Sequence, residues 1–243
     1  FTTFLNVPVV VSGRIRTPAE AEHILASGTA DIVGMARTLI AEPNWPIKLA
    51  AGDEARISPC LSCNQGGLAF PIQHLAGTCI VNPAAGRESE LGDIEPAADK
   101  KTIAVIGGGP AGLEAARGAA LRGHHVTLYE AEDHLGGALR LAAESPHRGE
   151  MAAALDWWIG ELAALGVTVN IATSVDPAKP PAADVVVWAI GAAPAITRVW
   201  QRRPHLRDGI PGTQGLPMGR DVMTGPAGAS GSALVPALIN ISH

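Results

Sequence analysis

The sequence predicts an α/β protein with parallel strands, and three observations carry that expectation. Val7-Pro-Val-Val-Val-Ser12 is a continuous apolar, β-branched run, typical of a strand buried on both faces of a parallel sheet. Strand and helix signals then alternate as βαβα, the order of a parallel unit. Further along, a second apolar strand, Thr102–Ile106, runs through a glycine-rich turn into a helix. The bulk composition agrees: over 243 residues, 47% hydrophobic and 17% charged positions describe a globular chain rather than a disordered one.

Each element has a local cause. After the first strand, Gly13-Arg-Ile-Arg16 makes a loop. Thr17-Pro-Ala-Glu20 reads as a helix start, with Thr17 as N-cap, Pro18 at the first helical position and Glu20 completing a capping box. Ala21, Ile24 and Leu25 form the apolar face of that helix, which stops near Gly28. Asp31-Ile-Val-Gly-Met-Ala36 is the next strand, and Arg37-Thr-Leu-Ile-Ala leads into a helical stretch with Trp45-Pro-Ile-Lys. Residues 56–88 lack periodicity and read as loop wrapped on a bound group. Glu90 to Lys101, polar and containing Pro96, reads as a linker. Gly112–Arg122 is expected as a helix and Val126–Tyr129 as a strand. A helix over 150–165 carries Leu155, Trp158, Leu162 and Leu165 at helical spacing, and Val167–Ala172 and Val185–Ile190 are further strands. Beyond Ala192, Gly and Pro are frequent, and only Val199 to Trp200 and Ser232 to Val235 hint at order. There is no internal repeat.

Several classes of function are disfavoured. A net charge of −5 argues against nucleic acid or an anionic membrane surface as partner. The longest nearly uninterrupted apolar run, Val185 to Ile196, is too short to span a bilayer, and no secretory leader is read. All three cysteines fall in one short segment, which favours a reduced compartment and a metal or redox role over a disulfide framework. The expectation is a cytosolic protein acting on a small molecule. Opening on Phe1 and closing as a strand begins, the chain reads as a piece of something longer.

Three stretches carry chemistry. Gly107-x-Gly109-x-x-Gly112 lies at a strand-to-helix turn. Gly107 there allows the tight turn, Gly109 lets backbone reach a pyrophosphate, and Gly112 lets helix pack on strand. The helix N-terminus offers free N–H groups to the phosphates. Glu130 ends the next strand at the distance expected for an acid that bonds a ribose hydroxyl, and it disfavours the 2′-phosphate of NADP. Cys60-Leu-Ser-Cys63, with Cys79, offers thiolates suited to zinc or an iron–sulfur centre, although three buried, unligated cysteines fit the pattern too. Gly13-Arg14 and Gly34-Met-Ala-Arg37 end adjacent strands, where backbone N–H groups and guanidiniums suit a phosphate, as in the loops after the last two strands of a (β/α)8 barrel. Arginines in structural salt bridges are the competing reading. His147 reads as a helix cap, Trp157-Trp158 as core and domain packing, and His124-His125 as surface.

Asp133-His-Leu-Gly-Gly137 and Ala189-Ile-Gly191-Ala-Ala-Pro194 resemble the additional signatures of two-dinucleotide-binding flavoproteins, which favours FAD at the first site. Taken with Val9-Val-Val-Ser-Gly-Arg-Ile15, Asp31-Ile-Val-Gly-Met-Ala-Arg37, Cys60-Leu-Ser-Cys-Asn-Gln-Gly66, Cys79-Ile-Val-Asn-Pro-Ala84 and Ile103-Ala-Val-Ile-Gly-Gly-Gly-Pro-Ala-Gly-Leu113, the chain resembles a known family. That family is the 2,4-dienoyl-CoA reductase / trimethylamine dehydrogenase group of NADH:flavin oxidoreductases, the iron–sulfur branch of the old yellow enzyme family. The resemblance runs from Val7 to about Val235.

It implies the C-terminal end of a (β/α)8 barrel, its last two βα units, followed by a Rossmann-like FAD-binding domain. The implied division is 1–58 for the end of an FMN-binding barrel, 59–89 for an iron–sulfur cysteine segment, 90–101 for a linker, 102–235 for an incomplete FAD/NAD(P)-binding domain and 236–243 for a tail. It further implies FMN at Gly13, Arg14, Ala36 and Arg37, FAD at Gly107, Gly109, Ala111, Gly112, Glu130, Gly137, Ala138, Arg148, Val175 and Gly191, and a 4Fe-4S cluster on Cys60, Cys63 and Cys79. Electrons in such proteins pass between NAD(P)H-linked FAD and FMN through the cluster, to reduce an enoyl thioester or oxidise an amine.

Two departures stand out. Gly67 occupies the position of the family's fourth cysteine and has no ligand atom; Ala138 stands where a larger polar residue is common. The strands that carry the substrate-protonating residue are not in this chain, so no catalytic residue is assigned. The full-length protein is expected to self-associate. The competing expectations are an FAD/iron–sulfur electron-transfer module of the glutamate synthase small-subunit type and an inactive truncated fragment with exposed strand edges.

Overall fold

A computed structural model describes residues 4–92, 94–145 and 148–192. His147, Pro194 and the stretches around Val199 and Val235 lie outside them.

Two parallel sheets form. The first pairs β1 (Val10–Ser12) with β2 (Ile32–Gly34), joined by α1 (Pro18–Ala26). The capping box is formed as its residues dictate: Thr17 Oγ1 accepts from the Glu20 N–H, and the Glu20 carboxylate accepts from the Thr17 N–H. Two short helices follow, α2 (Arg37–Ala41) and α3 (Trp45–Ala50), then a 3-10 turn, Glu54–Arg56. The cysteine segment is largely irregular, as expected, with a π-helical turn (Gln65–Ala69), a single turn α4 (Phe70–Ile72) and α5 (Glu88–Leu91).

The second sheet has the order β5-β4-β3-β6 and is parallel throughout. Its strands are β3 (Thr102–Ile106), β4 (His125–Tyr129), β5 (Thr168–Asn170) and β6 (Val185–Trp188), with helices α6 (Pro110–Leu121), α7 (Ala138–Ala143) and α8 (Glu150–Ala164). Strand order reverses at β3, and in open α/β sheets the crevice at such a reversal is where ligands bind.

Leu113, Leu128, Leu162 and Val105 are fully buried at the centre, each contributing about 1.5–3 kcal/mol through burial. Ala41, Leu61 and Val81 join the same core, so the first unit and the cysteine segment share a core with the second sheet and its helices. Trp157 and Trp158 are buried there, with rings 5.7 Å apart.

Two expectations need correction. The run Val7–Ser12 is not buried on both faces. Its strand begins only at Val10, and Val7 and Val10 are 63% and 59% exposed, because among the described residues the first sheet has two strands and nothing covers its outer face. Helix α7 was not anticipated; its six residues are too few to show a period.

Candidate nucleotide-cofactor sites

The fingerprint turn is built by close approach. At the end of β3, Gly107 takes φ +110°, and its N–H donates to the Tyr129 carbonyl at 2.8 Å. A Cβ on Gly107 would collide with the Ala189 carbonyl, and one on Gly112 with the Gly107 carbonyl, so neither position accepts a side chain. Gly109 differs: a Cβ there meets nothing within 4 Å. It is the N-cap of α6 with no side chain capping it, so the first-turn N–H groups face open space.

Glu130 is buried behind this turn. One carboxylate oxygen accepts from the Gly108 N–H at 2.6 Å and the other from the Glu132 N–H at 2.9 Å. Two backbone donors fix the acid at the rim while each oxygen keeps a free lone pair. The Gly136 N–H donates to the Gly108 carbonyl at 2.8 Å, which folds the Asp133–Gly137 loop over the turn and sets Gly137 against Gly109. Beside it, His134 holds the Asp133 carboxyl below its usual range. The loop after β5 is tied in by the Thr173 N–H to the Glu130 carbonyl, which brings half-buried Val175 to the same end of the sheet. Ala111, Ala138 and Gly191 are exposed at that end; Arg148 is exposed just before α8. The open cradle at Gly109 fits a pyrophosphate, and the fixed acid fits a ribose.

At the ends of β1 and β2 lies a cavity of about 160 Å³, lined by Ser12–Arg16 and Gly34–Thr38 and closed by Cys60 and Ser62. Gly13 has φ +125° and Arg14 φ +54°, a left-handed conformation costing a non-glycine residue roughly 1–2 kcal/mol. Two polar atoms beside the cavity, Arg16 Nε and Ser62 Oγ, are buried without a hydrogen-bond partner among the described residues. Unpaired buried donors next to an arginine-lined cavity fit a phosphate group. Gly13, Arg14, Ala36 and Arg37 are therefore brought together. The salt-bridge reading also holds for Arg14, which pairs with Glu150; Arg37 instead donates to the neutral Asn64 amide oxygen.

The thiols behave differently. Cys60, Cys63 and Cys79 are free and half-buried, and Cys60 and Cys79 pack on the main core. Among the described residues, no three His, Cys, Asp or Glu side chains gather as ligands for one metal ion. Gly67 contributes no ligand, so the donor set is one short of four thiolates. The residues present do not fit a closed four-cysteine centre.

Sequence reasoning missed the arginine–glutamate contacts that gather on α8, those of Arg14, Arg16 and Arg56 crossing between the units. Arg14 and Arg16 converge on one oxygen of Glu150, and Arg56 with Arg117 surrounds buried Glu161. The Arg56 pKa is raised by its hydrogen bond to Glu161. No local pattern signals the contacts of Arg14 and Arg56, whose partners stand 136 and 105 positions away.

Fold and turn together define an α/β dinucleotide-binding protein with a second, phosphate-type cavity. Residues 2–55 match the NADH:flavin oxidoreductase / NADH oxidase family, and residues 105–154 match the NAD(P)-binding Rossmann-like domain. An NADH oxidase from Thermoanaerobacter brockii is 43% identical over 198 residues, 80% of this chain and 30% of that protein. Among solved structures, a 2-naphthoyl-CoA reductase in complex with 2-naphthoyl-CoA superposes with a TM-score of 0.79 at 30% identity, over 91% of this chain and 33% of the other. Histamine dehydrogenase from Rhizobium sp. 4-9 superposes with a TM-score of 0.65 at 28% identity, over 72% and 27% respectively. The chain belongs to the NADH:flavin oxidoreductase family, in the old yellow enzyme / trimethylamine dehydrogenase group. It spans about a third of the length of the curated relatives it matches.

Proposed function

We propose that this chain is the part of a flavin-dependent oxidoreductase that holds the phosphate end of FMN and the pyrophosphate of FAD, in an enzyme drawing electrons from NAD(P)H to reduce an enoyl thioester, or oxidising an amine. The cavity between Gly13–Arg16 and Gly34–Thr38, with its unpartnered Arg16 and Ser62 atoms, carries the reading. The names of the relatives support the reaction class: a reductase complexed with an aromatic thioester and an amine dehydrogenase both share this fold. Bound flavins would supply hydride and single-electron transfer.

The chain's own residues bind and orient. Arg14 and Arg37 meet phosphate charge, Gly109 leaves room for a pyrophosphate on the N–H groups of α6, and Glu130 accepts from a ribose hydroxyl. The division into a barrel end (1–58), cysteine segment (59–89), linker (90–101) and FAD domain (102–235) belongs to this proposal, as does self-association of the whole protein. An iron–sulfur cluster in the cysteine segment would need a fourth ligand from outside Cys60, Cys63 and Cys79, since Gly67 supplies none; the Cys60-x-x-Cys63 spacing is what supports it. Among the described residues no helix is long and apolar enough to cross a membrane.

The test is reconstitution of the purified chain with FMN and FAD, followed by gel filtration and flavin analysis. Retention of both flavins is the expected result. Retention of neither overturns the proposal, and iron and acid-labile sulfide content decides the cluster.

A further inference from the structure

Two arginines of the phosphate cavity are already engaged, and by an acid from the other sheet's unit. Arg14 Nη2 and Arg16 Nη1, the latter at 2.8 Å, both reach Glu150 Oε1. Glu150 is the first residue of α8, about 30% exposed, and does not itself line the cavity. Arg14 is held there from a left-handed backbone position, with its side chain 63% exposed. Arg16 is more enclosed, at 25%, and its Nε has no partner among the described residues. A guanidinium has five donors and can stand between two anions, as Arg16 does between Glu20 at 3.7 Å and Glu150, but the anions then share its charge.

We propose that Glu150 is a positioning residue that holds Arg14 and Arg16 against the dinucleotide-binding unit and yields them, in part, to an incoming phosphate. Docking of α8 on the first unit and anion binding in the cavity then draw on the same two cations. The two events are linked with opposite sign: what tightens the contact with α8 weakens the phosphate site, by the same factor in each direction. The inference rests on reading the cavity as a phosphate site, and it adds that the acid governing its affinity comes from the neighbouring unit.

The test is Glu150→Gln in the full chain, titrated with FMN and with inorganic phosphate at low ionic strength, alongside urea unfolding. Glu144→Gln, at the exposed C-cap of α7, controls for net charge. The expected result for Glu150→Gln is phosphate binding about fivefold tighter, with a lower urea midpoint. A merely structural role would move both in the unfavourable direction. Unchanged or weaker binding by Glu150→Gln, with wild type binding normally, overturns the inference alone; so does an equal gain from Glu144→Gln. Absence of binding by wild type and variant alike overturns the phosphate-site reading and this inference with it. Binding by Glu150→Gln where wild type shows none supports both.

Discussion

Replacing Arg56 by Met exposes how the two units are joined. Glu161 is 3% exposed in the last turn of α8, and its carboxylate accepts from Arg56 Nε and, at 3.3 Å, Arg56 Nη2. Arg117 Nη1 stands 3.6 Å away, beyond a good hydrogen bond, and is already shared with Glu114. Without Arg56 a buried carboxylate keeps one distant cation. Breaking a buried pair from one side costs about 3–5 kcal/mol, and the remaining Arg117 places this case near 3 kcal/mol. The backbone carbonyl of residue 56, which accepts from Trp157 Nε1 and Lys48 Nζ, survives the change, so the loss is that of the ion pair. Glu161→Gln is milder, about 1.5 kcal/mol, because an acceptor remains and Arg56, 38% exposed, reaches water. Urea unfolding with an unchanged m value measures both. The double replacement Arg56→Met with Glu161→Leu should recover most of the stability. The reasoning is refuted if Arg56→Met costs less than 0.5 kcal/mol on the scale of ordinary surface changes, or if Glu161→Gln costs more.

The other expectations separate steric from chemical roles. Gly109→Ala should fold normally yet bind FAD at least tenfold more weakly, because its Cβ enters open space meant for ligand; Gly112→Ala should unfold at markedly lower urea, since its Cβ meets backbone. Equal behaviour of the two would contradict the cradle. Asp184 accepts from both the hydroxyl and the N–H of Thr102, which hold its pKa below the ordinary carboxylate value. A depressed folded-state pKa means that its contribution is present above the unfolded value, near 3.9, and is lost as pH falls through the folded one. NMR titration should therefore place its midpoint below that of Asp184 in Thr102→Val. Finally, Gly67→Cys should be tolerated, as a Cβ there comes no closer than 3.9 Å to any neighbour, and should raise iron and acid-labile sulfide per chain after anaerobic reconstitution. No gain in iron would argue that the cysteine loop is not a cluster site.

Local chemistry was legible in the sequence wherever the cause is local. The capping box at Thr17, the strand Thr102–Ile106 and the turn at Gly107 appear where their residues place them. Glu130 was legible as an acid at a strand end, but its bonds to the Gly108 and Glu132 amides depend on how β4 sits beside β3. Burial of the Val7 run failed as an expectation because burial depends on neighbouring strands, which a single apolar segment does not encode. Spacing alone likewise could not show whether three thiols converge, since the loop between Cys63 and Cys79 has no period to orient them.

The contacts that join the units belong to a different level. Glu150 and Glu161 lie on one helix, eleven positions apart by their numbering, and at 100° per residue that is three turns plus about 20°. Both acids therefore project from the same face of α8, about 16 Å apart along its axis. Each takes arginines from the first unit: Glu150 from the phosphate loop, Glu161 from the 3-10 turn that leads into the cysteine segment. Between them Trp157 donates to the Arg56 carbonyl and stacks under Arg117, with 5.1 Å from guanidinium to ring. A single face of one helix thus grips the first unit at two points and through a buried ring. That fixes the spacing between the Gly13–Arg16 cavity and the Gly107 turn more firmly than the polar linker could. Under the function proposed above, constancy of that spacing is what the helix face would secure, and loosening either acid should be felt at both sites.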